Sequence, residues 1–179
     1  MADVTKTKVT AAEFFELPES VLPIELFDGE IIVSPTPIVN HQRFVLRIAR
    51  LVEDLKPDGE VFPSPLDVHL DDLNVVQPDV MWISAERSAI IGEKRITGAP
   101  DLVVEIFSPG TLKRDRMKKF ELYERYGARE YWMIDPEHAQ MEVWVREGDE
   151  FVRLGVYTSE DAFSSPALGQ DVPLDVVFG

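Results

Sequence analysis

The stretch GAPDLVVEIFSPGT, residues 98 to 111, narrows the folds open to this chain more than any other. It reads as a strand entered at Pro100 and left at Ser108-Pro109-Gly110, with Leu, Val, Val, Ile and Phe inside. Side chains alternate along a strand, so Asp101, Val103, Glu105 and Phe107 share one face while Leu102, Val104 and Ile106 share the other. Both faces are largely apolar, the pattern of a central strand covered on both sides. An unpaired ionised carboxylate in such a strand would cost several kcal/mol. Glu105 therefore requires a partner supplied by another part of the chain.

The surrounding elements say what covers that strand. TAAEFFELPE predicts a short helix with Thr10 as N-cap and Glu13 three positions on. IELFDGEIIVSP predicts a hairpin about Asp28-Gly29, a favoured tight turn. NHQRFVLRIARLVEDLK carries Phe44, Leu46, Ile48, Leu51, Val52 and Leu55 close to helical spacing, with Asn40 as a candidate cap. EVFPSPLDVHL and VVQPDVMWIS read as two strands joined by the turn DDLN, followed by a loop to residue 98. A basic helix from about Arg114 to Tyr126, ended by Gly127, then a strand EYWMIDP and a hairpin about Gly148-Asp149 complete the pattern. The tail FSSPALGQDVPLDVVF reads as irregular, ending in a short edge strand or helix turn. Helix, strands, helix, strands is the order of an α/β protein with a mixed sheet. The 179 residues are read as one domain, with 1–10 and 160–179 peripheral.

Composition excludes several chemistries. No cysteine is present, which removes disulfides, thiol nucleophiles and thiolate zinc sites, and fits a reducing compartment. MADVTKTKVT lacks the apolar core of a signal peptide, and no run reaches the ~20 apolar residues of a membrane span. A cytoplasmic location with no membrane partner is expected. There is no Gly-rich phosphate loop, nucleophilic Ser elbow or His pair at ligand spacing. A net charge of −15 argues against a broad electrostatic grip on nucleic acid. Residues 111–129 are the exception, with seven Lys and Arg against three Asp and Glu. An ordinary solvated helix face would also account for that run.

Asp79 follows Pro78 in a second apolar strand, and two neighbouring strands with one acid each can bring their carboxylates together. Such a pair repels itself unless one acid keeps its proton or a cation lies between them. Two carboxylates and a backbone carbonyl suffice for a hard divalent ion that keeps several waters. The basic helix supplies one lysine. With Lys119 as zero and about 100° per residue, Asp115, Leu122, Tyr123 and Tyr126 lie within about 60° of it, while Lys118, Arg125 and Glu124 lie about 100° or more away. Lys119 thus stands at the centre of the apolar face and must be paired, and a helix directly after the Glu105 strand packs back over it.

Pro78-Asp79, Glu105 and a lysine resemble the PD-(D/E)xK nuclease superfamily. ELFDGEIIVSP, His41, PDV, PDLVVEIFSPGT, RDRMKKFELY and GAREYWMIDP, in this order over about residues 12–158, resemble the Uma-type family of bacterial restriction-endonuclease-like proteins. The resemblance implies a restriction-endonuclease-like core, a mixed central β-sheet flanked by α-helices, with an added N-terminal helix and β-hairpin. It implies Mg²⁺-dependent (or Mn²⁺-dependent) endonucleolytic hydrolysis of phosphodiester bonds, with DNA as the foremost nucleic acid. Asp79, Glu105 and the Ile106 carbonyl would hold the ion, and Lys119 would orient water or stabilise developing charge. The superfamily places its lysine two residues after the second acid, where this chain has Phe107. The family is similar in carrying it on the next helix, in the spacing matched by Asp115, Lys119 and Tyr123.

Glu25 and His41 also match family positions and could complete the site, although an exposed hairpin acid and a histidine at a helix start have ordinary structural roles as well. Asp79 could equally be a solvated strand-end acid, Asp101 could fix the start of its strand, and Asp115 could pair with Lys119 or cap its helix. Lys113, Arg114, Lys118 and Arg125 are the candidates to contact phosphates. The competing reading is a nuclease fold without catalysis, acting as a binding or regulatory module, with a second copy of the chain as a candidate partner.

Overall fold

A computed structural model describes residues 8–18, 20–107 and 113–179, with backbone alone at 113–115. Its centre is a six-stranded sheet in the order β11-β10-β9-β8-β6-β3. These strands are β3 (Gly59–Pro63), β6 (Val80–Ser84), β8 (Leu102–Ile106), β9 (Glu130–Asp135), β10 (Gln140–Glu147) and β11 (Glu150–Thr158). β8 and β9 run parallel, joined across helix α3 (Lys113–Arg125), and the other pairs are antiparallel, so the sheet is mixed. β8 is buried at every position, as its two apolar faces require.

The two faces have different covers. Leu102, Val104 and Ile106 meet helix α2 (Val39–Leu55) through Phe44, Val45, Ile48 and Val52. Val103 and Phe107 face α3 and a second sheet in the order β2-β1-β5-β4-β7. That sheet comprises β1 (Ile24–Phe27), β2 (Glu30–Val33), β4 (Val68–Asp71), β5 (Asn74–Val76) and β7 (Ile96–Thr97). Phe27, Val68, Val76 and Ile96 from it pack with Met81, Val103 and Tyr131 of the larger sheet and with Leu122 and Tyr123 of α3. The fold is a mixed α/β arrangement in layers, as the spacing of elements predicts.

Local signals hold where they are local. Helix α1 (Ala11–Phe15) begins with a capping box in which Glu13 N donates to Thr10 Oγ1 (3.3 Å) and Thr10 N donates to Glu13 Oε2 (2.8 Å). Asp28 and Gly29 turn the β1–β2 hairpin at φ of 48° and 78°, both in the left-handed region a primed turn needs. Asn40, however, lies inside α2, whose N-cap is Ile38 with no side-chain capping bond.

Two further expectations are corrected. Each long run read as one strand divides between the sheets: EVFPSPLDVHL into β3 and β4 at Pro63-Ser64-Pro65, and VVQPDVMWIS into β5 and β6 at Gln77-Pro78. Proline lacks the N–H that a continuing ladder would use, so the chain leaves one sheet there and joins the other. The tail is neither irregular nor peripheral. It forms the β12 (Ala162–Ser165) and β13 (Gln170–Pro173) hairpin and helix α4 (Asp175–Phe178), and places Phe163, Leu168, Val172, Leu174 and Val177 in the α2-side core.

Candidate functional site

The division of VVQPDVMWIS puts Asp79 at the passage between the two sheets, immediately before β6. Its Oδ2 accepts from the Ile106 N–H (2.7 Å) at the end of β8, and its Oδ1 lies 3.2 Å from His41 Nε2 in the first turn of α2. Glu105 projects from β8 on the α3 face. Its two oxygens lie 3.0 and 3.1 Å from Lys119 Nζ, and its Oε1 also accepts from the Tyr123 hydroxyl (2.7 Å). Glu25 on β1 closes the group, its Oε1 accepting from Lys119 Nζ (3.0 Å) and from the Gln77 N–H (2.8 Å). Lys119 is therefore the partner that Glu105 requires, and one turn of α3 supplies both Lys119 and Tyr123.

The cluster is nearly closed to solvent, with side-chain exposures of 14% for Lys119, 8% for Glu105 and 15% for Asp79. Three carboxylates surround one ammonium. Burial, together with the charges of Asp79 and Glu25, outweighs Lys119 and pushes the Glu105 carboxyl up to about 8. Burial works against the Lys119 ammonium, but Glu105, Glu25 and Asp79 prevail and raise its pKa above the ordinary lysine value. His41 is raised likewise, burial being outweighed by Asp79, Glu105 and the Ile106 carbonyl. The site holds its lysine charged, and burial with the neighbouring carboxylates keeps a proton on Glu105 up to about pH 8.

The other candidates are placed as follows. Asp101 is not brought to the cluster: it is fully buried at the far end of β8, where it accepts from Ser84 N (2.9 Å) and pairs with Arg87 (3.1 Å) and Arg129 (3.2 Å). It fixes the start of its strand. Arg125 is exposed, and Lys118 is half-buried at the edge of the helix with Nζ 5.7 Å from the Phe27 ring centroid. The side chains of Lys113, Arg114 and Asp115 lie outside the described residues, as does Ser108-Pro109-Gly110. Arg116, not singled out by sequence, lies with its guanidinium 3.9 Å from the Phe107 ring centroid. The helical phase could have found it, since three residues before Lys119 is about +60° on the same face.

A family model described as "Putative restriction endonuclease" matches residues 11–176. The chain belongs to the Uma2 family. It is 25% identical over 158 residues to "Uncharacterized protein slr1290" of Synechocystis sp. (strain ATCC 27184 / PCC 6803 / Kazusa), covering 86% of this chain and 82% of that protein. A crystal structure of "a putative nuclease belonging to DUF820" from Anabaena variabilis ATCC 29413 superposes with a TM-score of 0.80 at 21% identity, over 95% of this chain and 97% of the other. That likeness shows a shared fold, which is restriction-endonuclease-like in this family.

The donor set of the Uma2 cluster suits a hard divalent ion. Asp79 and Glu105 offer carboxylate oxygens beside the Ile106 backbone, and the burial and neighbouring carboxylates that make Glu105 retain a proton would be offset by a cation. Among the described residues no group of three or more His, Asp and Glu forms a ready cage, so most of the ion's remaining ligands would be water, as Mg²⁺ prefers.

Proposed function

We propose that this Uma2 protein is a metal-dependent endonuclease that hydrolyses phosphodiester bonds of nucleic acid, DNA foremost, with Mg²⁺ or Mn²⁺ as its ion. The observation that carries the reading is the convergence of Glu25, His41, Asp79, Glu105 and Lys119 from separate elements on one buried point, with three carboxylates to one ammonium. Asp79, Glu105 and the Ile106 carbonyl would hold the ion. When bound, it supplies Lewis-acid polarisation of the phosphate and an acidified water.

The protein's own groups do the positioning. Lys119 stays protonated, so it serves as a fixed positive charge for the developing phosphate charge rather than as a base. Glu25 and Glu105 fix the ammonium, Tyr123 holds Glu105 and His41 holds Asp79. Arg125 and Lys118, with Lys113 and Arg114 earlier on the helix, would contact flanking phosphates, which makes affinity fall steeply with salt. Reversing Lys118 and Arg125 to Glu should weaken nucleic-acid binding in a filter assay without lowering the melting temperature.

The non-catalytic binding module remains the second reading, favoured by one observation. Every oxygen of Asp79 and Glu105 already has a protein partner. Calorimetry with Mg²⁺ and Mn²⁺, alongside cleavage of end-labelled single- and double-stranded DNA and RNA, separates the two. Ion binding and cleavage that both vanish in Asp79→Ala support the nuclease; absence of ion binding in the wild type overturns it in favour of the module.

A further inference from the structure

Beside the carboxylate cluster a cavity of about 700 Å³ opens between α3 and the β9–β10 ladder. Its volume lies within the range of small-ligand sites. The floor includes Met133, which is paired in register with Glu105 one strand away on the same face. Arg116 lines it and also stands over Phe107, two residues past Glu105. The cavity therefore lies one strand from Glu105 of the proposed reaction centre.

Its walls combine two chemistries. Trp144 and Phe120, with ring centroids 4.8 Å apart, form an aromatic side. Glu124 and Glu142 supply carboxylates, which can only accept. Arg153 engages Glu142 through Oε1 alone among the described residues, at 3.4 Å. A flat aromatic ligand with donors on its edge matches both features. Nucleobases stack on Trp in this way, and guanine offers adjacent N1–H and N2–H donors to one carboxylate. Uracil and thymine present a single N–H between two carbonyls, which a carboxylate repels.

We propose that this cavity takes one base of the nucleic-acid strand, unstacked next to the scissile phosphate, that it prefers guanine through Glu142, and that Arg116 in its lining binds the adjoining phosphate. The assignment rests on the nuclease reading and gives it a preference for single-stranded or locally opened substrate.

The test is calorimetric titration of wild type and Glu142→Gln protein with GMP, AMP, CMP and UMP. GMP should bind most tightly, and Glu142→Gln should weaken it about tenfold and erase the preference. Absence of nucleotide binding, or a guanine preference that survives Glu142→Gln, overturns the proposal. Because ion binding and cleavage are read separately, a failed nuclease with intact, Glu142-dependent GMP binding is distinguishable from a failed cavity. Oligothymidylate carrying one central guanine should bind better than oligothymidylate alone; equal affinity alongside GMP binding overturns the strand assignment in favour of a free nucleotide. If Glu142→Gln fails to fold, photo-crosslinking of 8-azidoguanosine monophosphate to the wild type decides: an adduct on Trp144, Phe120 or Met133 supports the site, and an adduct elsewhere overturns it.

Discussion

Lys118 and Lys119 share a charge and adjoin in sequence, yet the helix turns them into different environments. Lys119 Nζ bridges Glu25 and Glu105, whereas Lys118 lies at the edge of α3 near Phe27. Lys119→Ala removes the one ammonium among three buried carboxylates and should cost about 3 kcal/mol in urea denaturation, with loss of cleavage. Lys118→Ala should cost no more than about 0.5 kcal/mol and leave kcat nearly intact. The reverse result would mean that the phase of α3 is wrong.

Glu105 yields a prediction with a definite sign. Its carboxyl titrates at about 8 in the fold against 4.5 as a free side chain, so between those values the folded protein holds a proton that the unfolded chain has lost. Stability in the presence of chelator should therefore fall as pH rises from about 5 to about 8. His41, whose pKa is also raised, adds to the same trend above its ordinary value. Glu105→Gln should flatten the profile of the denaturation midpoint across this window, and a profile that rises instead would contradict the direction of both shifts.

At the scale of elements, the contacts that join strands are more demanding than the strands themselves. Gly59 opens β3 opposite Ser84 of β6, and a Cβ there would lie 2.4 Å from Trp82 Nε1 and 2.6 Å from the Ile83 carbonyl oxygen. Gly59→Ala should cost about 1–3 kcal/mol by forcing the Trp82 ring or the backbone aside, read as a lowered melting temperature. Nothing in the sequence marks this glycine, because the obstacle is a ring more than 20 residues on. The Thr10–Glu13 capping box and the Asp28-Gly29 turn were legible, since each is written within four residues. The split of two apolar runs between sheets was not: proline shows where a ladder stops, but not which sheet the chain joins next.

At the scale of the molecule, the tail closes the core. Glu130, fully buried on β9, accepts from Ser165 Oγ and Ala167 N (2.9 Å each) and from Trp132 Nε1 (2.6 Å), tying the loop between β12 and β13 to the central sheet. Removing residues 160–179 would strip Phe163, Leu168, Val172, Leu174 and Val177 from the α2 side and leave that carboxylate without two of its donors. The truncated chain should lose cooperative thermal unfolding and expose apolar surface to a hydrophobic dye. A sharp transition near the wild-type temperature would show that the tail is dispensable.

The sequence by itself determined that β8 is central, because only burial on both faces accommodates its apolar pattern, and that Glu105 must be paired. It also determined which lysine faces the sheet, because helical phase is a property of spacing alone. Tertiary structure decided the rest. Glu25 and His41 reach the cluster only because a second sheet and α2 meet at the Asp79 passage, and Asp101, on the same strand face as Glu105, is drawn away by Arg87 and Arg129 at the far end. Spacing orients a side chain relative to its own element; which charges it meets depends on how distant elements pack, and that is settled by the shared burial of their apolar faces.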